Sequence, residues 1–397
     1  MTTFKALAME NSRDNALELA TVFRQYAQEY ERKHQLCSSQ RKAYNAIMHC
    51  RTSALGSHQA VCDSCGYKKT SYNSCRNRHC PKCQYIKQLL WVDKLKNRLL
   101  PTRYFHIVFT VPEFLNGLFY INQRACYDML FKASAYAIQK TTANPAFLGA
   151  QSGNLSVLHT WGQSLNYHPH IHTLVPAGGM DPDGQQWIAA AKKFFVPLQA
   201  LSKIFRAKFY QLLEQGLKNQ MLIMPQKEGL LYGDLKSFKQ MVYGKLWHVH
   251  IKKTFKGAGQ VISYLGRYTH RVAISNSRLV SLSNNVIHFR WKDYRDGRLK
   301  VMELEVLCFI RRFLQHILPC GYYKIRYFGI FSAIHAKTSM VQCFALLRAA
   351  PGISQYEGLH MTEVLRLITG RDLIRCSECK KGTMVLVGCA KSRPEDS

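Results

Sequence analysis

Two short cysteine pairs constrain this chain more than any other feature. "CDSC" at 62–65 and "CPKC" at 80–83 are C-x2-C knuckles separated by fourteen residues. Each knuckle aims two thiolates at one point, and four thiolates complete a tetrahedral Zn2+ shell. A segment of this kind folds around an ion rather than around an apolar core. Cys62, Cys65, Cys80 and Cys83 are the simplest ligand set. Cys50, His58, Cys75 and His79 crowd the same window as further candidates, enough to hold a second ion. The C-terminal pair "CSEC" (376–379) has Cys389 nearby but no evident fourth ligand, and its thiols read as free, with a further zinc as the alternative. The N-terminus lacks the basic start and apolar block of a secretory signal, so the 14 cysteines do not read as a disulfide framework.

The cysteines lie in strongly basic sequence. Lys and Arg total 55 against 24 acids, a net charge of +31. Solubility needs far less, and the excess points to a polyanion. Residues 66–106 hold ten Lys/Arg and one acid, and residues 306–356 hold six basic residues and none. Aromatics interleave these cations in "SYNSCRNRHCPKCQYIKQLLW" and "GYYKIRYFGIF", a pattern suited to stacking on single-stranded bases. Arg76, Arg78, Lys82, Arg311, Arg312, Lys324 and Arg326 are the candidate DNA contacts. No run of about 18 apolar, uncharged residues occurs, so no membrane span is expected.

Residues 11–50 show helical periodicity, as do 84–100, where Pro101 ends the pattern. "RYFHIVFTVP" (103–112), "NLSVLHTWGQ" (154–163) and "HPHIHTLVPAGG" (168–179) read as strands, the last two joined by a short turn. A long amphipathic helix is predicted over 198–219, a strand over 246–255, a helix over 259–272 and a hairpin over 284–306 turning at Asp296-Gly297. The remainder reads as mostly helical and basic.

"HPHIHTLVPAGG" carries the chemistry. On a strand, residues i and i+2 share a face, so His168, His170 and His172 point the same way. Neutral imidazoles at this spacing form a divalent-metal site. Two readings fit the run. One is the metal pair of a DNA-nicking endonuclease, His170 and His172 around Ile171; the other is a metal-free histidine-triad nucleotide hydrolase. A further His-x-His, "HVH" at 248–250, shows that the pattern alone discriminates weakly. "YLGRYTHR" separates the readings. Tyr264 and Tyr268 stand at i and i+4 on a predicted helix, hence on one face. A tyrosine hydroxyl is a poor nucleophile at neutral pH, and a cation that polarises the scissile phosphate makes its attack feasible. The tyrosine then carries a DNA end covalently.

"SCRNRHCPKCQ", "HPHIHTLVPAGG", "YLGRYTHRVAISNSRL" and "FIRRFLQHILPCGYYKIRYFG", in this order, resemble the two-tyrosine rolling-circle transposases of the insertion-sequence-91 type, across nearly the whole chain. The resemblance implies an α+β fold of the His–hydrophobic–His endonuclease kind, a central antiparallel sheet flanked by helices. It implies Mg2+ or Mn2+ on His170 and His172, with His168 or His270 as third ligand. Tyr264 and Tyr268 would be the nucleophiles, nicking one DNA strand through a 5′-phosphotyrosine and leaving a free 3′-hydroxyl. Three domains are expected: a helical and zinc-binding recognition domain at 1–100, the endonuclease at 101–290, and a basic, mostly helical region at 291–397. The partners would be single-stranded element ends and target DNA, in the bacterial cytoplasm at the nucleoid. A plasmid or phage replication initiator or relaxase would use the same tyrosines and metal; a zinc-dependent DNA-binding regulator would need neither tyrosine.

Overall fold

The computed structural model describes residues 17–191, 196–225, 234–245, 247–255, 273–293 and 295–390. It is an α+β structure with antiparallel sheets, and it divides into two compact units. One gathers residues 1–93, 270–317 and 353–397; the other gathers 94–269 and 318–352. The contacts therefore split the chain differently from three consecutive domains. The reason is that the C-terminal third supplies strands to both units.

In the first unit, the helices Leu19–Lys33 and Ser38–Met48 form because Leu19, Val22, Phe23, Tyr26 and Tyr30 bury one stripe, as do Ala43, Tyr44 and Ile47. Phe23 packs on Tyr44 and edge-on to Phe313 of the helix Val306–Leu314, with ring centroids 4.7 and 5.5 Å apart. The expected hairpin is present as strands Val286–Lys292 and Leu299–Glu305, joined by Leu279–Ser283 into a three-stranded sheet. A second three-stranded sheet has Ser57–Cys62 at its centre. Lys68–Tyr72 pairs on one side and Met384–Ala390 on the other, both antiparallel. The last strand was not expected in a region read as mostly helical. Val385 and Val387 favour a strand, and the run ladders antiparallel onto residues 57–62.

The second unit is organised by a five-stranded antiparallel sheet. Its order is Ile325–Gly329, Gly153–Trp161, Tyr167–Pro176, Tyr104–Thr110, Val249–Phe255. Here too the C-terminal region contributes a strand where helix was expected, Ile325–Gly329 pairing antiparallel with residues 153–157. One face carries Phe105, Ile107, Phe109, Leu158, Ile171 and Val175, buried against the helices Gln123–Ala143 and Leu198–Lys218. The second helix presents Leu201, Phe205, Phe209 and Leu213 at four-residue steps. The two helices approach closely at Gly216, where an added Cβ would lie 2.7 Å from Met129 Cε. Among the described residues no helix is long and apolar enough to cross a membrane.

Candidate functional site

Register alone builds a histidine cluster on the other face of this sheet. His159 pairs directly opposite His170, and His172 follows two residues later on the same strand. Opposed residues of an antiparallel pair share a face, as do i and i+2 neighbours. The three rings therefore converge, with one ligand nitrogen from each lying within 4.8 Å of the others. His159 and His172 are buried and His170 is half-buried.

The hydrogen bonds fix the ring orientations. His170 Nδ1 lies 2.7 Å from the His168 carbonyl, which can only accept, so Nδ1 carries the proton and Nε2 bears the lone pair in the neutral ring. That Nε2 is 3.1 Å from His172 Nε2, and His172 Nδ1 is 2.9 Å from Nε2 of the buried His106. Moving the His172 proton from Nε2 to Nδ1, with His106 moving its own proton from Nε2 to Nδ1, exposes a second lone pair to the same point, and the bond is kept with His172 Nδ1 donating to His106 Nε2. Burial, with the neighbouring His168 adding to it, lowers the His170 pKa to about 4, so the ring is neutral and ligand-ready at physiological pH. The donor set fits a divalent cation. Three imidazoles without a carboxylate suit Mn2+ better than the harder Mg2+, and three protein ligands leave positions for substrate oxygens.

His168 is on the same face but is not part of the cluster. Its backbone carbonyl orients His170, and its side chain lines a separate pocket of about 600 Å³ with Thr110, Glu113, Tyr167, Lys245 and His248. His159 completes the three-ring group instead. It was missed in the sequence because the signal lies in the pairing of two strands rather than in either one. His106 was missed for the same reason. His248 and His250 are exposed and stand outside the cluster. Tyr264, Tyr268 and His270 lie outside the described residues.

The cysteines regroup. Cys62 and Cys65 do not meet Cys80 and Cys83. Cys50, Cys75, Cys80 and Cys83 form one quartet, with Cys50 and Cys75 Sγ lying 3.4 and 3.6 Å from Cys83 Sγ. A tetrahedral Zn–S shell at about 2.3 Å requires sulfurs about 3.8 Å apart. These separations match it and are far beyond a disulfide's. Cys50 and Cys80 are buried, and Cys83 is held well below the usual thiol range by hydrogen bonds from Cys50, Cys75 and Cys80. Cys62 and Cys65 instead converge with Cys376 and Cys379, the pair that had read as free thiols. The long-range strand pairing of 57–62 with 384–390 brings them together, and no spacing rule reaches across that interval. His58 lies outside both quartets, its Nδ1 3.0 Å from Cys389 Sγ, and His79 also stands apart.

The basic candidates scatter. Arg76 and Arg311 are exposed, while Arg78, Arg312 and Lys324 are half-buried. Lys82 pairs with Glu18, and Arg326 pairs with Asp128 at 2.5 Å while lying over the Phe131 and Tyr322 rings.

Comparison with known proteins fits this division of labour. Residues 22–111 match the family described as transposase zinc-binding domain, and residues 153–339, which include His159, His170 and His172, match the family described as putative transposase. These matches define a zinc-binding transposase. The chain is 41% identical over 383 residues to the putative transposase y4qJ of Sinorhizobium fredii, covering 93% of this chain and 94% of that protein. It is 31% identical over 343 residues to the transposase for insertion sequence element IS801 of Pseudomonas savastanoi pv. phaseolicola, covering 84% and 80%. The chain belongs to the insertion-sequence-91-type transposases. Membership makes it a DNA-cleaving enzyme with DNA as its partner. No solved structure matches it.

Proposed function

We propose that this transposase nicks single-stranded element ends and joins them to target DNA through tyrosine-linked intermediates, as a cytoplasmic, nucleoid-associated enzyme. The observation that carries the reading is the convergence of His159, His170 and His172 on one sheet face, opposite the face that packs the core. This arrangement supports a His–hydrophobic–His endonuclease architecture. Bound by these three rings, Mn2+ or Mg2+ supplies Lewis-acid polarisation of the scissile phosphate.

The chain's own residues do the rest. The hydroxyl of Tyr264 or Tyr268 attacks phosphorus and loses its proton. The phosphorus–O3′ bond breaks, and the 3′ oxygen leaves as a hydroxyl once protonated. The DNA 5′ end stays on the tyrosine, so the energy of the phosphodiester is kept for rejoining. With two tyrosines, one can hold the element end while the other receives a second strand. His170 is oriented by the His168 carbonyl and His172 by His106. The basic unit that carries the cysteine quartets recognises the element ends.

The test uses labelled single-stranded DNA carrying an element end, with Mn2+ or Mg2+, and looks for a covalent protein–DNA adduct. Tyr264→Phe together with Tyr268→Phe removes the adduct, and His170→Ala removes cleavage while sparing most binding. An unchanged adduct in the double tyrosine variant overturns the assignment.

A further inference from the structure

We propose that the chain holds a second structural zinc, on Cys62, Cys65, Cys376 and Cys379, which fastens the N-terminal cysteine ribbon to the C-terminal segment. The four sulfurs lie within 4.8 Å of one another. Cys62 to Cys379 and Cys65 to Cys376 are each 3.7 Å, the edge length of a tetrahedral Zn–S shell and too long for a disulfide. These pairs are 317 and 311 residues apart in sequence.

Both halves have the same local build. Each is a C-x2-C turn closed by its own backbone: Gly66 N–H donates to the Cys62 carbonyl, and Lys380 N–H to the Cys376 carbonyl. The residue after the second cysteine is left-handed in each, Gly66 at φ 72° and Lys380 at φ 55°. Each turn also aims a backbone N–H at a sulfur, Cys65 N to Cys62 Sγ at 3.5 Å and Gly382 N to Cys379 Sγ at 3.3 Å. N–H groups directed at sulfur stabilise thiolates, the form that binds metal. The two turns are laced together by Asp63 N to the Thr383 carbonyl and Thr383 N to Asp63 Oδ1, at 3.1 and 2.7 Å. Gly382 is necessary to this closeness. An added Cβ would strike Cys62 Sγ and lie 2.6 Å from Ser64 Cβ.

Beyond these bonds and the strand pairing of 57–62 with 384–390, little holds the sulfurs together. Cys65 is exposed, and the adjoining strand 68–72 is exposed along its length, so no apolar core forces the convergence. A cation shared by four thiolates does. The inference is independent of the tyrosine chemistry, since it concerns metal content and thiol protection alone.

Elemental analysis of the purified full-length protein tests it. Two zincs per chain are expected, falling to one in the Cys376→Ser, Cys379→Ser variant. One zinc in the wild type, or two in the variant, overturns the proposal. A second measurement uses the wild type, so that a variant's misfolding cannot blur the result. Iodoacetamide labelling read by mass spectrometry should find Cys62, Cys65, Cys376 and Cys379 protected together and released together by a chelator, while exposed Cys37 labels at once. Labelling of Cys376 and Cys379 at the rate of Cys37 before chelation, or a disulfide joining the two pairs, overturns it.

Discussion

The histidine sheet and the cysteine ribbon both gather donors around a point, but they do so by different physics. In the sheet, the backbone ladder and the core beneath it set the positions of His159, His170 and His172, and the rings would converge with or without an ion. Phe109, Ile171 and Leu158 on the opposite face are buried against two long helices. In the ribbon, strand 68–72 is exposed throughout and strand 57–62 is buried only at its ends. A segment this small cannot bury enough surface to fold alone, so the ion stands in for the core. One site is a scaffold that accepts a metal; the other is a fold made by one.

Removing ligands should expose this difference most strongly. Cys80→Ser deprives the buried quartet of a thiolate, and structural zinc contributes on the order of 10 kcal/mol to folds of this kind. The expected outcome is loss of zinc and rapid proteolysis within residues 50–83. His172→Ala should leave the proteolytic pattern intact and abolish nicking. If Cys80→Ser stayed protease-resistant, the ribbon would have a core of its own and the contrast would fail.

Next in size is the choice of third ligand. His159→Ala should reduce Mn2+-dependent nicking of single-stranded DNA as severely as His170→Ala, since it removes one of three rings within 4.8 Å. His168→Ala should retain most activity, because the orienting group is its backbone carbonyl. Equal losses in the two variants would return His168 to the metal. A smaller effect is expected at His106, which positions His172 without reaching the cluster. His106→Ala should raise the Mn2+ concentration for half-maximal nicking by about 10–100-fold, with the rate largely restored at saturating Mn2+. A merely structural role would lower the saturated rate and leave the metal dependence unchanged.

Much of this was legible in the sequence where the signal is local. Periodicity placed the helix Leu198–Lys218 and the hairpin strands Val286–Lys292 and Leu299–Glu305, and alternation put His170 and His172 on one face. What was hidden depends on partners far along the chain. His159 is a single histidine in an apolar strand until its pairing with His170 is known. The Cys62–Cys65 knuckle looks like a natural mate for Cys80–Cys83, and spacing favours that choice. Closing a loop of roughly 300 residues costs about 2.5 kcal/mol more than closing one of roughly 15–20, because loop entropy grows only logarithmically. Strand pairing between 57–62 and 384–390 readily outweighs that difference, and no motif in the C-terminal segment announces it.

The smallest expected effects separate two arginines that look alike in sequence. Arg326 is held by Asp128 and sits 4.5 and 5.0 Å from the Phe131 and Tyr322 ring centres, tying the strand 325–329 to the helix 123–143. Tyr322 OH donates to the same carboxylate at 3.0 Å. Arg326→Ala should therefore cost about 1–2 kcal/mol of stability, read as a lower melting temperature, with the salt dependence of DNA binding unchanged. Arg311 is exposed on the helix 306–314 and makes no ion pair among the described residues. Arg311→Ala should leave the melting temperature in place and reduce the slope of log affinity against log salt by about 0.7, the value for one phosphate of a single strand. The reverse pattern would mean that DNA displaces Asp128 from Arg326. The histidine-bearing sheet would then grip the strand through the same residue that fastens its edge.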